Sequence, residues 1–233
     1  MNVLQHAALP AMLALGLSLP AAQAASTFNS DATLTYTITG ISPGDLAGLT
    51  ILGSFQQAGE PDSQVALSGD GAVVANNPSF GPAAVTTTFS HSFAVSGSAS
   101  DGAVQSSHLG NFSLSFSNAS ANTYAIELSL AYVLNAHVGG EFADSSVSLD
   151  YFNADSSFSG FDTITANTAD VTDATRNDGL ALYSFTLAPN ATQALLGDVA
   201  ITGTLQATPV PVPVAAWLFG SALGLFGFAR RRA

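Results

Sequence analysis

The chain reads as an all-β protein, an antiparallel β-sandwich of jelly-roll type with about nine strands, with a closed barrel as the alternative. Three observations predict this class. Apolar residues recur with a period of two rather than 3.6, which marks strands with one face on a core. Clusters of Gly, Pro, Asn and Asp separate the alternating runs, as in Ser42-Pro43-Gly44-Asp45, Asn76-Asn77-Pro78 and Asn177-Asp178-Gly179. No stretch of the body has the amphipathic helical pattern that a parallel crossover needs, so pairing is expected to be antiparallel in two packed sheets.

The elements follow from the pattern in order. Leu34, Tyr36 and Ile38 alternate with Thr33, Thr35 and Thr37 and predict a first strand. Leu49–Phe55, Val65–Leu67 and Thr86–Val95 come next. Phe112, Leu114 and Phe116 alternate with serines, and Tyr124, Ile126, Leu128, Leu130, Tyr132 and Leu134 form one face of the longest run. Ser145–Phe152, Leu180–Leu187 and Val199–Leu205 complete the set. The stretch Ala154–Gly179 lacks regular alternation and is rich in Asp, Thr and Asn, so it is expected to be a long loop or an irregular edge.

The two ends have a different character. Residues 1–24 read as a signal peptide: Ala7–Leu19 is an apolar run, and Ala22-Gln23-Ala24 is an A-x-A site that would place the mature start at Ala25. At the other end, Pro209, Pro211 and Pro213 alternate with valines, so the backbone is held extended and cannot donate to a helix or sheet there. Val214–Ala229 is uncharged, and as a helix it would reach about 24 Å, a short transmembrane span that the flanking arginines can extend by snorkelling. Arg230, Arg231 and Arg232 stop it and, by the positive-inside rule, place the C-terminus in the cytoplasm. The domains expected are therefore 1–24, a 25–207 sandwich and a 208–233 tail.

Charge and composition narrow the function. All sixteen acids lie between Asp31 and Asp198 with Arg176 as the only basic side chain among them, a formal charge of fifteen negative for the body. Such a surface repels nucleic acid and anionic lipid, which excludes DNA and RNA as partners. The chain has no cysteine, which removes disulfides, thiolate zinc sites and cysteine catalysis together. Charged residues make up 9 % of the chain, well below the roughly 25 % usual for soluble domains, and Ser, Thr, Asn and Gly supply the polar surface instead.

The order of proline motif, apolar helix and arginine cluster resembles the PEP-CTERM family of bacterial sorting signals, in its VPLPA-type variant. The residues that carry the resemblance are Val210-Pro211-Val212-Pro213, Ala215-Ala216-Trp217-Leu218-Phe219-Gly220-Ser221 and Arg230-Arg231-Arg232, about a tenth of the chain. Val212 stands where the namesake has Glu and the variant Leu, and Val214 where Ala is commoner. The resemblance implies an exosortase and a signal peptidase as processing partners, transient anchoring in the inner membrane, and a place in the cell envelope or an exopolysaccharide matrix. A permanent membrane anchor is the alternative for the same segment.

Catalytic signatures are missing from the sequence: there is no G-x-S-x-G, H-E-x-x-H, P-loop or G-x-G-x-x-G motif. The body is expected to be no enzyme and to need no cofactor. His91, His108 and His137 are its histidines, and His91 shares the inward parity of Phe89 and Phe93. A glycosidase would need facing carboxylates, and Glu60, Glu127 and Glu141 are the only glutamates. The sharper candidate is a structural Ca²⁺ held by Asp162, Asp170, Asp173, Asn177 and Asp178, hard oxygen donors in one loop-like region without the EF-hand spacing. The second reading of the whole body is a carbohydrate-binding module with Tyr124, Tyr132, Tyr151 and Phe158 as an exposed stacking platform. Solvent-facing rings would favour binding and buried ones a structural role.

Overall fold

A computed structural model describes residues 25–57, 64–69, 72–76, 88–155, 157–208 and 221. The chain divides into two compact units. One comprises Met1–Ala24 with Thr208–Ala233, of which only Thr208 and Ser221 are described. The expected signal peptide, proline motif, apolar helix and arginine cluster thus lie outside the described residues, apart from Ser221. Among the described residues no helix is long and apolar enough to cross a membrane.

The other unit, Ala25–Ala207, is a sandwich whose described residues form eleven strands, more than the nine or so expected because β4 and β9 lack a clear apolar alternation. They are β1 (Ser26–Ser42), β2 (Leu49–Gln57), β3 (Gln64–Gly69), β4 (Ala72–Asn76), β5 (Thr88–Ala99), β6 (Gly102–Asn118), β7 (Tyr124–Gly139), β8 (Phe142–Asn153), β9 (Ser159–Asn167), β10 (Asp173–Leu187) and β11 (Thr192–Ala207). One sheet has the order β10-β7-β1-β5-β4 and the other β2-β6-β11-β8-β9, every pair antiparallel. β2 and β3 lie end to end along the same edge of β6, opposite Gly110–Asn118 and Gly102–Ser107. Most links between successive strands cross from one sheet to the other, so pairing is non-local and the core closes only when both sheets are assembled.

The alternation seen in the sequence is the pleat itself. Leu34, Tyr36, Phe93, Val95, Leu114, Phe116, Ile126, Leu128, Leu130 and Leu134 are buried between the sheets. Their outward neighbours are hydroxyls that pair across strands: Thr33 Oγ1 bonds Ser92 Oγ at 3.1 Å, and Thr35 Oγ1 meets Ser90 Oγ at 2.8 Å. These contacts satisfy polar groups on a face with little charge.

Two expectations need correction. Of the two readings of Ala154–Gly179, the long loop is wrong and the irregular edge is right: β9 spans Ser159–Asn167 at the sheet edge and β10 begins at Asp173. β9 is an edge strand whose pattern is inverted: Phe161 points out and is 67 % exposed, while Asp162 sits on the inward side with Ile164 and Ala166. A bulge between Arg176 and Gly179 breaks the alternation of β10. The first strand also starts earlier than its apolar run, because its inward positions there include Ser26 and Ser30. Ser26 Oγ donates to Gln206 O at 2.7 Å, and Ser30 and Ser145 hydroxyls bond at 2.7 Å, joining the two sheets through the core.

Several glycines make room for rings rather than for turns. Gly97 on β5 and Gly203 on β11 leave the space that Phe28 fills between the sheets. Gly179 and Gly160 do the same for Tyr132 and Tyr151. Gly140 is different: it has φ +98° in the β7–β8 turn, and a Cβ there would run into the backbone of Ala25.

Candidate functional site

The side of the sandwich between the edge strands β9 and β10 holds most of the chemistry outside the apolar core. A ladder of rings runs along it. Tyr132 and Tyr151 have centroids 6.3 Å apart, Tyr151 and Phe158 5.3 Å, Phe158 and Tyr183 4.5 Å, and Tyr183 and Phe185 5.1 Å. The last two pairs are stacked with interplanar angles of 23° and 22°. Phe185 closes the ladder edge-on against Phe116.

At one end of the ladder Asp162 accepts a hydrogen bond from the Tyr132 hydroxyl at 3.0 Å. Arg176 Nε lies 3.3 Å from Asp162 Oδ2 and 2.9 Å from Asp178 Oδ1. Burial, then the Asp162 bond and charge, push the Tyr132 phenol up to about 12. Burial first and Asp162 second raise Tyr151 as well. Both phenols stay protonated at physiological pH, and Tyr132 donates to Asp162.

The expected calcium ligands are thus spread over three settings. Asp162 and Asp178 flank Arg176, the one basic side chain of the body. Asp173 pairs with His137 Nδ1 across the β7–β10 ladder. Asp170 lies in the β9–β10 turn, its N–H on Asn167 O at 3.4 Å, and Asn177 is an exposed residue of the β10 bulge. Among the described residues no group of three or more His, Cys, Asp or Glu side chains gathers to hold a metal.

The histidines and glutamates also part company. His91 and His108 are buried on β5 and β6, and burial lowers the pKa of His91. Glu127 is exposed near the start of β7 and Glu141 follows its end, separated by about 40 Å of strand at roughly 3.3 Å per residue. That is several times the separation at which two carboxyls act on one glycosidic bond. Glu60 lies outside the described residues.

Of the four rings expected to form a platform, Tyr124 and Tyr132 are buried, and Tyr151 and Phe158 pack half-buried against the core. None of the four is a freely exposed ring. Instead the far end of the ladder opens into a hollow of about 320 Å³, between the β8–β9 and β10–β11 connections. Tyr183 and Phe185 line it, with Asp155, Ser157, Thr192 and Gln193 around them.

The polar atoms of this hollow are held by Asn153, itself buried. Its Oδ1 accepts from Phe158 N at 3.0 Å, and its Nδ2 donates to Ser157 Oγ at 2.8 Å and to Tyr183 Oη at 2.7 Å. Gln193 Nε2 donates to the same Tyr183 oxygen at 3.0 Å. Asp155 Oδ1 accepts from Ser157 N at 3.1 Å, and the Ser157 hydroxyl and amide hold that carboxyl below its ordinary range. The sequence reading missed Asn153, Tyr183 and Gln193 as site residues. The only signal was an Asn followed four residues later by Ser157 at the end of a strand, a common turn composition.

A second polar group stands on the outer face of the β2-β6-β11-β8-β9 sheet. Asp150 on β8 is directly opposite Asp198 on β11, and Asp198 opposite Asn111 on β6. In its satisfied orientation the Asn111 amide donates to Asp198 Oδ1 at 3.0 Å. Burial first, and the Asp150 charge second, raise the Asp198 pKa. A carboxyl raised on folding favours the native state when protonated and opposes it when ionised. That penalty is absent below the ordinary value of 3.8 and grows as pH rises through the native value. Asp198→Asn is therefore expected to raise the melting temperature at pH 7, with the gain over wild type shrinking as pH falls towards 4; melting curves across that range check it. An equal or larger gain at pH 4 would contradict this assignment.

No family model matches the chain, and no curated protein matches it. Solved structures similar to it include one called "putative beta-galactosidase" from Bacteroides fragilis, at 9 % identity and TM-score 0.14, covering 72 % of this chain and 28 % of that one. Another is human GIVD cytosolic phospholipase A2, at 8 % identity and TM-score 0.14, covering 76 % of this chain and 32 % of that one. The chain thus spans under a third of the length of either.

Proposed function

We propose that the chain is an exported, non-catalytic β-sandwich of jelly-roll type that serves as a surface or extracellular-matrix component. In this reading signal peptidase removes residues 1–24, the apolar segment Val214–Ala229 anchors the chain transiently, and an exosortase acts near Val210–Pro213. The body is then released to the cell envelope or to an exopolysaccharide matrix.

The observation that carries the reading is the extent of the compact unit. Ala25–Ala207 has its own core, starts where the A-x-A site ends and stops just before Pro209. Every strand of the described residues lies within it. The surface chemistry agrees with life outside the cell, where a hydroxyl-rich, lysine-free face stays solvated without attracting nucleic acid or anionic lipid.

Reporter fusions test the topology. A phosphatase that folds only outside the inner membrane is expected to be active when fused after Thr208, and a fluorescent protein that folds only in the cytoplasm is expected to glow when fused after Ala233. Phosphatase fusions that stay inactive while the chain accumulates in the cytosol would overturn the proposal.

A further inference from the structure

We propose that the hollow between the β8–β9 and β10–β11 connections is a binding subsite for a neutral saccharide. This rests on the surface or matrix reading above only in so far as that placement brings the body into contact with polysaccharide. Three features of the hollow carry the inference.

The first is an unspent donor. Tyr183 is only 9 % exposed, and its oxygen accepts from both Asn153 Nδ2 and Gln193 Nε2. Both lone pairs are engaged, which leaves the phenol proton as the group free to donate, on a side chain that lines the hollow. A buried donor of this kind gains most from an acceptor oxygen supplied by a ligand.

The second is the mixture of surfaces. Tyr183 and Phe185 give an aromatic wall, while Ser157, Thr192 and Gln193 add hydroxyls and an amide around it. A pyranose ring presents the same pairing, with an apolar C–H face and a rim of hydroxyls that both donate and accept. The Gln193 carbonyl oxygen can accept from a sugar hydroxyl while its amide nitrogen holds Tyr183. The volume, about 320 Å³, lies at the small end of ligand sites, roughly 300–1,000 Å³, and suits a chain end or one or two sugar units.

The third is charge. Among the described residues that line the hollow, Asp155 is the only ionisable side chain besides Tyr183 and is held ionised by Ser157, and the body carries sixteen acids against one arginine. A uronate or sulfated glycan would be repelled by that field, so the ligand class is neutral.

The test uses the full chain in a detergent without a sugar headgroup, titrated calorimetrically with neutral hexasaccharides of glucose, xylose and galactose and with an oligouronate. At least one neutral oligosaccharide is expected to bind and the oligouronate not to. Tyr183→Phe is expected to weaken binding roughly five- to tenfold, as is Gln193→Ala, each removing one hydrogen-bonding group. Phe161→Ala, which removes the exposed ring on the opposite face of β9, is expected to leave binding unchanged. Circular dichroism checks the fold of Tyr183→Phe, and Gln193→Ala provides the reading if that variant unfolds. The inference is overturned if no neutral oligosaccharide binds at about 10 mM, far weaker than specific recognition requires. Equal binding by wild type and both hollow variants, or a preference for the oligouronate, overturns it too. Topology is read separately by the reporter fusions, so a lack of saccharide binding with normal export removes this inference and leaves the proposed function standing.

Discussion

Tyr124→Ala is expected to unfold the sandwich more readily than any surface change. Tyr124 opens β7, an interior strand paired on both sides by β10 and β1, is fully buried, and its hydroxyl is shared between Asp45 O and Ala47 O at 2.9 Å each. It therefore ties the β1–β2 connection down onto the end of the core. Truncating a buried aromatic side chain costs about 3–5 kcal/mol, and the lost hydrogen bond leaves the loop without its anchor. At roughly 2–4 °C per kcal/mol for a unit of this size, the melting temperature should fall by about 6–20 °C. Tyr124→Phe separates the two contributions: it keeps the ring and removes the bond, and should cost about 1 kcal/mol. Equal losses in the two variants would show that the hydroxyl, not the packing, dominates.

The second large effect concerns release rather than stability. On the proposed reading, replacing Val210-Pro211-Val212-Pro213 by a Gly-Ser stretch of equal length removes the extended, proline-held segment that the exosortase reads, while the apolar run and the arginines stay intact. The chain should still be exported but remain in the membrane fraction. The released form, measured by immunoblot of culture supernatant, should drop at least about tenfold, the change that 1.4 kcal/mol of lost recognition produces. Undiminished release would mean that the motif is not what is recognised.

The sequence carried the fold class because alternation is a property of the pleat. Where inward residues are apolar, as at Leu34–Ile38 or Tyr124–Leu134, the strand could be read directly. It failed where the inward face is polar or missing a side chain. Ser26 and Ser30 in β1 and Gly160 and Asp162 in β9 all face in, while Phe161 faces out; Leu180 and Leu182 also face out, 60 % and 71 % exposed, although Leu180–Leu187 is legible as a strand. Such strands are held by their neighbours' ladders, which no local pattern records. Asn118 makes the same point at the β6–β7 turn: it is buried because its amide meets Asn122 O at 2.7 Å and Ala188 O at 2.9 Å, partners up to seventy residues away.

The hollow was illegible for a related reason. Asn153, Tyr183 and Gln193 come from β8, β10 and β11 and meet only through the crossing of the two sheets. The acidic stretch that looked like a cation site was legible as composition, but its carboxylates diverge. β9 turns Asp162 inward to Tyr132 and Arg176, and the β7–β10 register hands Asp173 to His137. Conversely, the proposed terminal signals rest on composition and order along the chain alone, so proposing them needs no fold.

The most direct measurement of the central claim is the intact mass of the chain recovered from outside the cell. The account predicts a single species that begins at or near Ala25 and ends at or before Pro213, having lost both the leader and the arginine cluster. A membrane-extracted species that still carries Arg230, Arg231 and Arg232, with none released, would contradict it.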